Sequence, residues 1–134
     1  MLTIEHLRDL TLRKATHTPW QHYVSAASGL VCTNGRAYVI ADDEQHLAVF
    51  SAEHSPGRVV RLFEGDLPAG VKARKKRKPD TETLALLPPG VLLTLGSGSA
   101  AMVLGSLDRS PEAPRLVGGV SRAATQHPQI CVGD

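Results

Sequence analysis

Cysteine, aromatic residues and long apolar stretches are all scarce in this sequence of 134 residues. Only Cys32 and Cys131 are present, with no zinc-ligand spacing, so we expect reduced thiols rather than a disulfide framework or a zinc site. Aromatic residues make up 4%, which leaves the core to Leu, Val and Ala. No apolar run approaches the roughly 20 residues that span a bilayer. The charged N-terminal residues 1–12 do not resemble a signal peptide, so we expect a cytoplasmic protein that does not bind membranes.

Basic charge is concentrated in one short stretch of the chain. The formal net charge is +2, with 15 Lys and Arg residues against 13 Asp and Glu residues. Six of the basic residues lie between positions 72 and 78, so the remainder of the chain has an excess of acidic groups. The basic balance is therefore a local feature and not a property of the whole chain.

Short apolar runs separated by turn residues predict strands from residue 28 onward. Asn34 and Gly35 tolerate the positive φ angles of a two-residue hairpin, and they stand between two apolar runs. The first four predicted strands cover residues 30–32, 37–40, 46–50 and 58–63. In succession they would form an antiparallel meander like one blade of a β-propeller.

The same layout of strands and turns recurs about 54 to 55 residues later, a spacing typical of repeat architectures. Leu30 aligns with Leu84 and Gly35 with Gly90, and the alignment needs one inserted residue at Pro88-Pro89. The sequence thus predicts an all-β fold of two antiparallel four-stranded blade-like meanders, a partial β-propeller.

We expect one propeller-like unit over residues 1–117. Its parts are blade one at about 28–63, a basic loop at 64–82 and blade two at about 83–117. Residues 118–134 show no period and predict a loosely ordered tail. The segment before blade one leaves two alternatives, an edge or closing strand over 7–13 or a short helix over 3–13, and the alternation of Leu10 and Leu12 favours the strand.

Two groups of carboxylates are candidates for a cation site. The connection after the second predicted strand carries three carboxylates and an imidazole, namely Asp42, Asp43, Glu44 and His46. Oxygen-rich loops bind calcium, but this spacing matches no known calcium loop, so a solvated polar turn is the alternative. Asp80 and Glu82 lie two residues apart, so in a strand they share a face and form either a carboxylate pair or a solvated strand start.

Two further motifs do not predict catalysis or phosphate binding. Ser28 lacks the GxSxG pattern of a nucleophile elbow, and nothing in the sequence connects it to His46. The Gly-Ser-Gly-Ser run at 96–99 lacks the Lys-Ser/Thr and the following helix of a phosphate-binding loop. A tight turn between strands explains this run better.

The basic stretch is a candidate polyanion-binding surface, formed by Lys72, Arg74, Lys75, Lys76, Arg77 and Lys78. Such a run can attract the phosphates of nucleic acid, and its binding would be sensitive to salt and blind to sequence. No aromatic residue interleaves with it to stack on bases. A solvated loop between blades is the alternative.

Five short motifs occur in order along the chain, at residues 25–31, 38–47, 65–68, 78–80 and 95–99. They resemble an uncharacterised bacterial family whose members look like β-propellers, and the resemblance spans about residues 7–99. The chain is more remotely similar to phytase-like and esterase-like propellers, in which acidic residues near strand ends hold calcium. That resemblance implies calcium ligands at Asp42, Asp43, Asp80 and Glu82.

The chain departs from this family at Ala100 and Ala101, where members tend to carry basic residues, and members are longer. The resemblance therefore implies a truncated or degenerate copy. Two isolated blades would leave flat sheet edges exposed, so we expect self-association or partner binding.

Three functions follow as alternatives from the sequence. The leading interpretation is a propeller-like module that binds a metal ion or small polar ligand at its carboxylate-rich end. The enzymatic alternative is a calcium-assisted hydrolase of phosphate or carboxylic esters, in which the basic stretch attracts an anionic substrate. The third is an interaction protein that binds polyanions through the same basic stretch.

Overall fold

A computed structural model describes residues 1–16, 22–51, 53, 55–63, 65–88, 90–96, 101–107, 116–117 and 120–122, with side chains described through residue 96. These residues form nine strands and one short helix. The first half contains β1 (Ala27–Thr33), β2 (Arg36–Ala41), β3 (His46–Ser51), β4 (Arg58–Arg61) and α1 (Val71–Arg77). The second contains β5 (Thr81–Leu87), β6 (Val91–Gly96), β7 (Ala101–Leu107), β8 (Leu116–Val117) and β9 (Val120–Arg122). The predicted all-β class is confirmed.

The first sheet is an antiparallel meander of β1, β2, β3 and β4 in chain order. Its first hairpin turns at Asn34 and Gly35, whose φ angles are 50° and 68°. Thr33 pairs with Arg36 on either side of the turn. Both central residues have positive φ, as a two-residue hairpin that follows the twist of its strands requires. This prediction is confirmed.

The second sheet follows the order β5, β6, β7 and β8, and β9 also pairs with β7. Leu107 pairs with Leu116, and Val103 pairs with Val120. Both pairings continue one antiparallel register along the same edge of β7. Strands β8 and β9 therefore occupy the position of a single fourth strand. Strand β9 lies where the sequence predicted a loose tail, and β7 gives residues 120–122 the hydrogen-bond partners that order them.

The spacing of the strands matches the predicted recurrence. Strands β1, β2 and β3 begin at residues 27, 36 and 46, and β5, β6 and β7 begin at 81, 91 and 101. The second set thus starts 54 or 55 residues after the first. An origin by sequence duplication stays a prediction.

Both faces of the first sheet are buried, which explains the nearly continuous apolar runs of β2 and β3. One face packs against the second sheet through a cluster that includes Tyr38, Ile40 and Leu92. The opposite face forms a second cluster around Phe50, and the segment before β1 covers it with Leu12. The first sheet is therefore the middle layer of the described structure.

The two sheets approach each other closely at β1 and β5. A Cβ atom on Gly29 would come within 2.9 Å of the Ile40 Cγ1 atom and of Leu84. Only glycine allows this backbone approach, which brings the start of β5 beside the end of β2.

The N-terminal segment forms neither of the two predicted elements. Among residues 1–16 the only ladder pairings are isolated bridges, Thr11 with Tyr23 and Leu12 with Gly57. The Leu12 amide donates to the His22 carbonyl at 2.8 Å. The segment bonds to two different chain stretches and contains no continuous strand, so the strand prediction over 7–13 was wrong.

The basic loop predicted at 64–82 contains helix α1 instead. Residues 71–77 are Val, Ala, Lys and Arg, of which all but Val71 are good helix formers. The helix ends before Pro79, which disfavours the helical conformation in the residue preceding it. Among the described residues, no helix combines the length and apolar content needed to cross a membrane.

Gly57→Ala is expected to lower the free energy of unfolding by about 1–3 kcal/mol, the usual cost of overpacking a core. An added Cβ would lie 2.4 Å from the Cε1 atom of Phe50, which is fully buried. Gly70→Ala is the matched control, because nothing lies within 4 Å of its Cβ position. Urea unfolding should separate the two variants, and equal losses would contradict this packing.

Candidate metal centre

The candidate site lies where the end of β2 meets the start of β5. The Asp42 amide donates to the Ala26 carbonyl at 3.2 Å, and the Asp80 amide donates to the Asp42 carbonyl at 3.1 Å. Asp80 has a φ of 56°, a left-handed conformation that aspartate tolerates better than most residues. Backbone hydrogen bonds thus hold two connections together that are distant in sequence.

A buried threonine fixes the start of β5 against the first sheet. Thr81 is 1% exposed, and its hydroxyl donates to the Ala41 carbonyl at 2.9 Å. The Ser28 hydroxyl in turn donates to the Thr81 carbonyl. Ser28 therefore connects the two sheets through this hydrogen bond. This structural role agrees with the absence of a nucleophile motif around Ser28 in the sequence.

Three of the four predicted metal ligands converge at this junction. One carboxylate oxygen from each of Asp42, Asp80 and Glu82 lies within 4.8 Å of the others. Asp42 and Asp80 are half-buried and Glu82 is exposed. The fourth residue, Asp43, is not in this group, and its Oδ2 atom accepts a hydrogen bond from the Ser25 hydroxyl at 3.3 Å. We call Asp42, Asp80 and Glu82 the carboxylate triad.

Lys78 places its ammonium group against two members of the carboxylate triad. Its Nζ atom lies 2.6 Å from Asp42 Oδ2 and 2.8 Å from Asp80 Oδ1. Hydrogen bonds to Asp42 and then Asp80 raise the pKa of Lys78 above its ordinary value, and they outweigh the opposing effect of partial burial. The lysine therefore carries its charge at neutral pH and partly neutralises the triad.

Arg74 also turns inward from helix α1 and is 7% exposed. Its Nη2 atom donates to the Asp43 carbonyl and lies 3.5 Å from Glu44 Oε1. Arg74 and Lys78 were both predicted to bind polyanions, and each is engaged with acidic or carbonyl groups of the fold. The other members of that run, Lys72, Lys75, Lys76 and Arg77, are exposed.

The sequence interpretation did not include Lys78 in the acidic site. Arg74 and Lys78 are four residues apart, so a helical interpretation of this run would have placed them on one face. Assigning the run to a loop removed that signal. The other two acidic-loop residues, Glu44 and His46, approach each other at 3.7 Å and lie outside the triad.

Two sequence predictions fall on residues beyond the described part. Residues 97–99 of the predicted Gly-Ser turn and Cys131 lie outside the described residues. Cys32 is exposed and has a free thiol, as the sequence predicted for it.

A family model described as a family of unknown function (DUF6929) matches residues 23–103. The match covers more than half of the chain, so the chain belongs to this family. It includes strands β1 to β6, the first three residues of β7 and all of the carboxylate triad.

One curated relative matches over a short segment. It is an acyl-CoA:acyl-CoA alkyltransferase from Xanthomonas campestris pv. campestris, 50% identical over 42 residues. The match covers 31% of this chain and 12% of the relative. The chain thus spans only a small part of the enzyme's length. No solved structure matches the chain.

Proposed function

We propose that this member of the DUF6929 family is a propeller-like binding module that holds a divalent cation, calcium in particular, in its carboxylate triad. The observation that carries the proposal is the convergence of one oxygen each from Asp42, Asp80 and Glu82 within 4.8 Å. Calcium binds oxygen ligands at about 2.3–2.6 Å, so two oxygens on opposite sides of the ion are about 4.6–5.2 Å apart. The triad therefore has a span suited to calcium.

The position of the triad supports a propeller-like arrangement of the two sheets. Strands β1 and β5 are each the first strand of a meander, and they pack against each other. Adjacent propeller blades contact in this way through sheet faces. The triad then lies at one end of the junction between two blades, where an ion would link them.

The lysine within the triad supports cation binding through charge. Three carboxylates at this distance repel one another, and the single ammonium of Lys78 balances only one of them. A divalent ion supplies more charge and more ligand directions than the ammonium does. Because Nζ lies within hydrogen-bond distance of Asp42 and Asp80, the ion competes with Lys78 for these two carboxylates.

Calcium is expected to raise the unfolding temperature of the natural protein, and Asp80→Asn and Glu82→Gln should each abolish this rise. A ligand that binds only the folded state stabilises it by about 2.7 kcal/mol at a hundredfold excess over its dissociation constant. Thermal unfolding in calcium and in chelator measures the effect.

Asp43→Asn is the matched control for these two variants. It neutralises a neighbouring carboxylate that lies outside the triad, so the calcium response should persist. A response lost equally in Asp43→Asn would contradict the proposed ligand set. Esterase and phosphatase substrates added to the same preparations would test the calcium-assisted hydrolase alternative.

A second candidate function rests on the exposed side of helix α1. Lys72, Lys75, Lys76 and Arg77 are all exposed, and the helix carries no acidic residue in its first turn. Four cations on a short helix form a local positive surface on a chain that is otherwise acidic. This surface supports binding of a polyanion through charge alone.

Replacing these four residues by glutamine should lower the salt concentration at which the protein elutes from heparin. The logarithm of the binding constant for duplex DNA falls linearly with the logarithm of the salt concentration. Removal of up to four phosphate contacts should make that slope less steep by roughly 3 to 4. Lys14→Gln, an exposed single-charge change elsewhere, is the control. Unchanged retention of the fourfold variant would contradict polyanion binding by this helix.

A further inference from the structure

A polar cleft of about 290 Å³ lies beside the first sheet. Its walls include Glu44, Gln45 and His46 from the connection into β3, Asp66 and Leu67 from the segment after β4, and Arg74 from helix α1. The volume is close to the lower end of small-molecule pockets, about 300 Å³. The cleft is therefore large enough for one small ligand.

Backbone and side-chain hydrogen bonds connect the segments that form this cleft. The Gln45 carbonyl accepts from the amides of Leu62 at 2.8 Å and Phe63 at 3.3 Å. Arg74 donates to the Asp43 carbonyl and so attaches the helix to the same connection. The cleft is thus built between three fixed segments before any ligand arrives, which lowers the entropic cost of binding.

The charged groups of the cleft are balanced within the protein. Glu44 Oε1 accepts from the Thr16 hydroxyl at 2.6 Å and lies 3.5 Å from Arg74 Nη2. At the rim, Asp66 Oδ1 lies 3.0 Å from Arg61 Nη2. A charged ligand would have to compete with these pairs, whereas a neutral ligand leaves them intact.

His46 and Asp66 both line the cleft. The Nδ1 atom of His46 is buried without a hydrogen-bond partner among the described residues, and it lies 3.7 Å from Glu44 Oε2. A ligand hydroxyl placed in the cleft would offer the imidazole a hydrogen-bond partner. The Asp66 carboxylate is 90% exposed and bonds to Arg61 through Oδ1, so Oδ2 is directed to solvent or ligand.

We propose that this cleft binds a neutral polyhydroxylated small molecule, a sugar or polyol, through His46 and Asp66. Hydroxyl groups can donate to an imidazole nitrogen and a carboxylate oxygen, and they carry no charge that would disturb the internal ion pairs. The site is separate from the carboxylate triad and does not depend on cation binding there.

The test is an amide ¹H–¹⁵N titration of the full chain with glucose and with myo-inositol, with acetate and methylammonium as charged probes. The amide resonances of Gln45, His46 and Leu67 should shift with the two polyols and not with the ions. His46→Gln and Asp66→Asn each move or remove an acceptor atom, so each should weaken binding roughly threefold to tenfold, the effect of one weakened or lost hydrogen bond.

His6→Gln and Asp9→Asn are the matched controls, because these two residues form an exposed pair in the N-terminal segment. Both should bind the polyols as the natural protein does. Asp66 is largely exposed, so Asp66→Asn keeps the test valid if His46→Gln fails to fold. The proposal is overturned if neither polyol shifts these resonances, if the ions shift them more, or if the controls weaken binding equally.

Discussion

Phe50→Ala is expected to lower the free energy of unfolding by about 3–5 kcal/mol, the usual loss for a buried phenylalanine. Phe50 is 0% exposed and is the largest member of the cluster on the outer face of the first sheet. The Arg8 guanidinium also lies 5.4 Å from the centre of its ring. Removing the ring would leave a cavity between the sheet and the N-terminal segment.

Chemical denaturation monitored by circular dichroism measures this loss. Tyr23→Ala is the aromatic control, because Tyr23 is 55% exposed and its truncation should cost less than about 1 kcal/mol. Similar losses in both variants would contradict the three-layer arrangement in which the N-terminal segment covers the sheet.

Lys78→Met is expected to raise calcium affinity by roughly tenfold or more. Two unit charges about 4 Å apart interact by about 4 kcal/mol at an effective dielectric constant near 20, and about 1.4 kcal/mol is a tenfold change. Without calcium the same variant should be slightly less stable, by about 1 kcal/mol, because it loses two partly exposed ion pairs.

Lys76→Met is the matched control, since it removes an exposed cation of helix α1 that lies two residues before Lys78. Its calcium affinity should stay near that of the natural protein. An equal increase in both variants would mean that Lys78 acts through general charge rather than by occupying the triad.

Raising the pH should not release Lys78 from the triad in the neutral range. Its folded pKa lies above the ordinary value of 10.5 because of Asp42 and Asp80. The stabilisation from this group is therefore fully present below pH 10.5 and is lost only as pH rises through the higher folded value. Calcium affinity measured between about pH 7 and about pH 9 should show no gain from lysine deprotonation.

The first sheet was predictable because its signals are local. The hairpin needs two residues with positive φ, and Asn34 and Gly35 provide them at adjacent positions. The alternation of apolar runs and turns then gives the succession of β1 to β4. By contrast, Leu12 has two partners that the sequence does not reveal, His22 and Gly57. Such contacts between distant segments are set by tertiary packing rather than by a local pattern.

The candidate site was predictable in its acidic members and not in its basic one. Asp42, Asp80 and Glu82 stand out as carboxylates near predicted strand ends, so their convergence follows once the two meanders pack. Lys78 lies in a run of similar cations, and only helix α1 determines which of them turn inward. The position of each basic residue around the helix therefore decides that Lys78 contacts the triad, and charge composition does not reveal that position.

The most direct test of the carboxylate triad is a calorimetric titration with calcium. It compares the single variant Lys78→Met with a double variant that also carries Asp80→Asn. With the internal ammonium removed, the single variant should bind one calcium ion per chain, and the double variant should bind at least roughly tenfold more weakly. Absence of binding by Lys78→Met would contradict the cation site, because no competitor would then remain to explain it.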